Sequence, residues 1–108
     1  MAREKMITFT NNKNEIVEVE FFSCEYSGPH SLPKLWEKAG YVSEIFDRYL
    51  WADVYATDEN GNTWNKYNPQ QKKAEDGARM VLDFEWVRED TEENRKALLV
   101  EIVRRAMA

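Results

Sequence analysis

Glu18 and Glu20 stand two residues apart in "IVEVEFF", and Asp83 and Glu85 repeat that spacing in "VLDFEW". On a β-strand alternate residues share a face, so each pair would project its acids together. Four carboxylates gathered on one open sheet face could hold a divalent cation, or act as an acid/base pair if burial raised one pKa. Nucleases that use strand carboxylates usually add a nearby Lys, and neither segment carries one two residues on. The competing reading is that such acids keep a sheet face wet and block edge pairing. The expectation is therefore no catalytic residue, no cofactor and no metal, with Glu18, Glu20, Asp83 and Glu85 as the second-choice ligand set.

Other constellations are thinner. Asp58, Asn60 and Asn62 alternate as in a calcium loop, but Gly61 falls fourth and Pro69 twelfth, where an EF-hand needs Gly sixth and Glu twelfth. Cys24 and His30 are the single Cys and His, so a disulfide within the chain is excluded, and their separation across a Gly-Pro turn does not itself build a nucleophile pair. Gly28, Gly40, Gly61 and Gly77 are isolated, so no phosphate-cradling loop exists.

Charge discriminates among partners. The 108-residue chain carries a net charge of -5, which disfavours phosphate neutralisation on nucleic acid and adhesion to anionic membrane. Lys66, Lys72 and Lys73 beside Trp64 and Tyr67 could stack and hold a single strand, against the sign of the whole chain. From Asp83 to Glu93, six of eleven residues are acids and one is Arg88, giving a local net of -5. No run approaches the ~18 apolar residues of a membrane span, and "MAREKMITF" has no apolar signal region. The expected location is the cytoplasm.

Periodicity supplies the elements that must position these groups. Residues 6 to 9 and "IVEVEFF" read as a hairpin whose Val17, Val19 and Phe21 face is buried. Leu32, Leu35, Trp36 and Ala39 have helical spacing after Ser31, with Gly40 as a C-terminal cap. One or two helical turns are expected at 43 to 48, then a strand from near Tyr49. Asn60-Gly61 between alternating segments predicts a primed hairpin turn. "RMVLDFEWV" alternates Met80, Leu82, Phe84 and Trp86 against polar neighbours, as a strand buried on one face would. Asp90 or Thr91 begins a final helix, Asp90 and Glu93 having capping-box spacing, with Leu98, Leu99, Ile102, Val103 and Ala106 as its apolar stripe.

The order is β-β-α-(α)-β-β-β-α. It predicts one α+β domain over residues 1–108: about five strands, mainly antiparallel, as two hairpins plus a further strand, with helices on one face. Four aromatics flank the Asn60-Gly61 turn, and neither of its strands is cleanly apolar on one side. Some of them should bury, while Trp51 with Tyr55, or Trp64 with Tyr67, remain for a partner, since Trp and Tyr dominate interface hot spots. Glu89, Asp90, Glu92 and Glu93 would steer a basic partner. The expected function is that of a non-enzymatic small acidic protein acting by protein contact, an inhibitor or decoy of a basic nucleic-acid-binding protein of the phage anti-restriction or anti-CRISPR sort. The alternatives are a nucleic-acid-binding or metal-dependent domain using the open sheet face, and a homodimeric accessory protein. Monomer and homodimer both remain open.

Overall fold

The alternating segment that begins at Ile16 becomes a ten-residue strand that organises everything else. The computed structural model describes residues 6–25, 48–77 and 79–108. Strands β1 (Ile7–Thr10), β2 (Ile16–Glu25), β3 (Arg48–Thr57) and β4 (Thr63–Asn65) form an antiparallel sheet in the order β1-β2-β3-β4. A second, two-stranded sheet pairs β5 (Gln71–Lys73) with β6 (Met80–Leu82). After it come a 3-10 turn at Phe84–Trp86 and the helix α1 (Glu92–Met107).

The register explains the core. Val17 lies opposite Ala56, Val19 opposite Val54 and Phe21 opposite Ala52, and these side chains are buried on one sheet face. Leu98, Ile102 and Ala106 of α1 bury in the same cluster, with Ile7, Phe9, Tyr67, Trp86 and Leu99 at its margins. The Ala and Val residues of β3 let the helix approach closely; one face is thus apolar and helix-covered, as the alternation predicted.

The turns share one solution. In the β1–β2 turn Asn11 Oδ1 accepts from the amides of Lys13 and Glu15 at 3.0 and 2.9 Å. In the β3–β4 turn Asp58 Oδ1 accepts from those of Asn60 and Asn62, both at 2.9 Å. Each turn ends in a left-handed residue, Asn14 (φ 58°) or Gly61 (φ 83°). This is the three-residue loop in which a type I turn precedes a left-handed bulge residue. The two-residue primed turn expected at Asn60-Gly61 is therefore corrected: Gly61 takes positive φ and Asn60 does not.

Three further expectations change. The sheet has four strands, not about five, and a separate hairpin occupies part of "QQKKAEDG", which read as a polar connection. "RMVLDFEWV" is not one long strand: β6 ends at Leu82, Asp83 accepts from the Glu85 amide to start the 3-10 turn, and Met80 is 54% exposed. Local capping by a short acid overrides alternation there. At α1, Thr91 alone is the cap, its hydroxyl accepting from the Asn94 amide at 3.1 Å, while Asp90 pairs with Arg95 rather than joining a capping box. The helix expected from Ser31 and the turns expected at 43 to 47 lie outside the described residues; Arg48 already belongs to β3.

The far edge of β3 carries the least regular feature. β2 pairs with all ten residues of β3 on one side, but β4 covers only Tyr55, Ala56 and Thr57 on the other. The remaining edge is filled piecemeal. Lys66 N donates to Val54 O at 3.2 Å. Asn68 Nδ2 donates to Ala52 O, Gln70 Oε1 accepts from Ala52 N, and Gln70 Nε2 donates to Leu50 O, at 2.9, 2.8 and 2.9 Å. Residues 88 to 90 then run alongside, with Leu50 N donating to Arg88 O and Asp90 N donating to Arg48 O. The Gln70 amide thus acts as a missing strand residue, and the side chain is fully buried at 0% exposure.

Replacing Gln70 by Met keeps volume but orphans Ala52 N and Leu50 O. At about 1–3 kcal/mol per buried group left unsatisfied, urea titration should show a loss of roughly 3 kcal/mol. A loss under about 1 kcal/mol, the net worth of one ordinary hydrogen bond, would contradict this role.

Candidate functional site

Turning each core residue inward forces its neighbours outward, and this defines the first candidate surface. On the face away from α1, the register sets Glu18 opposite Tyr55, Glu20 opposite Asp53 and Phe22 opposite Trp51. Thr8 lies beside Glu18, and Asn65 beside Tyr55. Tyr55 is 43% exposed, and Ile16 is also exposed. Trp51 and Asp53 are half-buried, and the Trp51 indole donates to Asp53 Oδ1 at 3.0 Å, anchoring the ring beside the acid. Among the described strand residues of this sheet, the outward positions hold three carboxylates and four aromatics (Phe22, Tyr49, Trp51 and Tyr55) and neither Lys nor Arg. Trp51 and Tyr55, paired from the sequence, do share this face.

The other expected aromatic pair separates. Trp64 lies opposite Ala56 at the sheet margin and is 50% exposed. β4 stops at Asn65, and Tyr67, at φ 73°, turns back to pack against the core. The strand that carries Trp64 thus ends before Tyr67. An aromatic residue at positive φ is an outlier costing about 1–3 kcal/mol, held by its surroundings. Those surroundings form a second cluster. The buried Glu15 carboxylate accepts from the Tyr67 hydroxyl, from Asn11 Nδ2 at 2.8 Å and from Lys66 Nζ at 3.1 Å. The ammonium groups of Lys66 and Lys13 lie 5.0 and 5.9 Å from the Tyr67 ring centre.

The Tyr67 hydroxyl, followed by the Asn11 amide and Lys66, holds the Glu15 carboxyl down to about 2. Hydrogen bonding to Glu15 likewise raises Lys66. These hydrogen bonds make the cluster a fastening between the β1–β2 turn and the chain that leaves β4. The same turn carries two more ties, Asn14 Nδ2 to Glu59 Oε1 and Asn12 Nδ2 to the Met107 carbonyl, both at 2.9 Å. "NNKNE" therefore joins β1–β2, β3–β4 and the end of α1. Sequence reasoning saw only turn residues there; the available signal was an Asn-rich loop ending in an acid that a hairpin loop does not need.

The remaining candidates disperse. Glu18 and Glu20 lie on β2, whereas Asp83 and Glu85 belong to the 3-10 turn after the second sheet. Among the described residues no three or more His, Cys, Asp or Glu side chains are grouped to hold a metal ion. Lys66 is ion-paired to Glu15, while Lys72 and Lys73 lie on β5 of the second sheet. Burial pushes the Cys24 thiol up, away from an activated thiolate; His30 lies outside the described residues. In the acidic stretch Glu89, Glu92 and Glu93 are exposed. Asp90 instead accepts two bonds from Arg95, at 2.7 and 2.9 Å, which hold its carboxyl below the ordinary range. Asp90 thus fastens Arg95 of α1 to the segment before the helix. Arg88 stacks 4.8 Å from the Trp86 ring centre, diluting the negative end further. No described helix is long and apolar enough to cross a membrane.

Comparison with protein-family models, curated proteins and solved structures finds no match to this chain.

The Glu15 pKa lies below its ordinary 4.5, so this group contributes stability that is present above that value and lost as pH falls toward about 2. Tyr67→Phe removes the largest cause, and carboxyl NMR titration should then show the Glu15 midpoint moving up toward 4.5. A midpoint still near 2 in a folded Tyr67→Phe protein would contradict the assignment of that cause.

Proposed function

We propose that the chain is a non-enzymatic protein-binding domain whose outer sheet face takes a basic segment of another protein. The observation that carries this reading is the composition of that face: aromatic side chains interleaved with Glu18, Glu20 and Asp53, and no Lys or Arg at the described outward strand positions. Arg and Lys side chains are attracted both to carboxylates and to aromatic ring faces, by about 0.5–2 kcal/mol for a ring contact. Tyr55, flanked by Glu18 and Asn65 and 43% exposed, is the natural central contact. The net charge of -5 speeds approach of such a partner. A nucleic-acid-binding protein presents the required groups in its phosphate-contacting groove; occupying that groove would make this domain an inhibitor or decoy. The structural acids at 15, 90 and 101, each tied to its own basic or hydroxyl partner, are not part of this surface.

An arginine-rich peptide titrated into the labelled protein should perturb amide signals of Glu18, Asp53 and Tyr55 first, with affinity falling as salt rises. Tyr55→Ser together with Asp53→Asn should weaken binding by about tenfold or more, the loss of ~1.4 kcal/mol, and leave the fold intact. Perturbation confined to residues 89–93, or none at all, would contradict the assignment of this face.

A further inference from the structure

The side of α1 turned away from the core carries a pattern that packing among the described residues does not explain. Leu98, Ile102 and Ala106 point into the core, and the opposite side presents Val100, the most exposed large apolar side chain described, at 68%. Val103 and Met107 are exposed as well. A β-branched residue in the middle of a water-facing helix side contributes no packing and lowers helix propensity. Around Val100, the outward positions Glu93, Ala97, Val100 and Arg104 recur at intervals of four, three and four residues. That interval is the seam of two helices packed side by side.

The charges along the seam are self-complementary. Between Leu98 and Leu99 lies a point about which the charges of α1 invert, apart from Arg95, which is mirrored by Ile102 and tied to Asp90. Glu92 is matched by Arg105, Glu93 by Arg104 and Lys96 by Glu101, while Ala97 is matched by Val100. Glu92, Glu93, Lys96 and Arg104 are all exposed. Glu101 binds Arg104 at 2.6 Å and Arg105 at 2.8 Å on its own helix. The C-terminal turns nonetheless keep a net positive charge against the Glu92–Glu93 end. A two-fold axis through the midpoint sets two copies of α1 antiparallel, with Glu93 of each beside Arg104 of the other, Val100 against the half-buried Ala97, and the helix dipoles opposed.

We infer that α1 is a self-association surface whose partner is a second copy of this chain, joined by antiparallel pairing of the Glu93–Arg104 seam. The seam is short, about 16 Å at 1.5 Å rise per residue. It belongs with the weak interfaces of under ~1,200 Å², so association is concentration-dependent. The pairing is independent of the basic-partner reading, because α1 and the outer sheet face lie on opposite sides of the sheet. Two copies joined this way would turn their outer faces away from each other and present them bivalently.

Sedimentation equilibrium of the full chain decides the matter, extended to millimolar concentration and with circular dichroism to confirm that each variant is folded. The wild type should form dimers that salt weakens. An acid-end variant (Glu92→Lys with Glu93→Lys) and a base-end variant (Arg104→Glu with Arg105→Glu) should each self-associate at least about tenfold more weakly, the loss of ~1.4 kcal/mol. Mixed in equal amounts, the two should recover a heterodimer. Val100→Glu changes only an exposed position, so it should fold normally and be monomeric. A wild type that stays monomeric throughout, dimers indifferent to these changes, or a mixture that shows no recovery would overturn the inference. None of these results depends on whether the arginine-rich peptide binds.

Discussion

A strand inside a sheet must hydrogen-bond along both edges, and β3 has a full-length neighbour on only one of them. The other edge is completed by the three residues of β4, then by the side-chain amides of Asn68 and Gln70, then by the backbone of residues 88 to 90. Gln70 is the pivot of this arrangement. Its side chain holds Ala52 N and Leu50 O, and its own carbonyl accepts from Asp83 N at 2.9 Å. One buried amide therefore fixes where the second hairpin and the 3-10 turn sit against the four-stranded sheet. Peptide-like side chains suit this task because they carry a donor and an acceptor at nearly the geometry of a backbone unit.

Both surfaces of interest inherit their positions from that edge. Once β3 is held on both sides, Ala52, Val54 and Ala56 must face α1, and Trp51, Asp53 and Tyr55 must face away. Tyr67, in its left-handed conformation, brings the chain from β4 to Asn68 and Gln70 while its hydroxyl reaches Glu15. The strain at Tyr67 thus serves the closing of the sheet edge. Closing that edge in turn blocks pairing of β3 itself with foreign strands.

Much of this layout was legible where one physical signal dominated. Period-two alternation identified β2 and its buried Val17, Val19 and Phe21. Helical spacing found Leu98, Ile102 and Ala106. Alternation misled at Met80 to Trp86, because Asp83 captures a nearby amide and ends the strand, a choice worth as much locally as one ladder bond. The exposure of Tyr55 could be anticipated from the mixed character of its strand, although none of the four hairpin aromatics is fully buried as some were expected to be. The fate of Tyr67 could not, since it depends on Glu15, fifty-two residues away in sequence. Asn68 and Gln70 looked like loop polarity, because a side chain that replaces a strand leaves no periodic trace.

The central claim is that the Gln70 amide seals β3 as firmly as a neighbouring strand would. Native-state hydrogen exchange at the Ala52 amide, which donates to Gln70 Oε1 at 2.8 Å, measures this directly. Protection equal to that of Trp51 and Asp53, whose backbone groups face the full-length neighbour β2, with exchange only through global unfolding, is the expected result. Exchange of Ala52 through local opening, at a free energy well below that of its neighbours, would contradict the account.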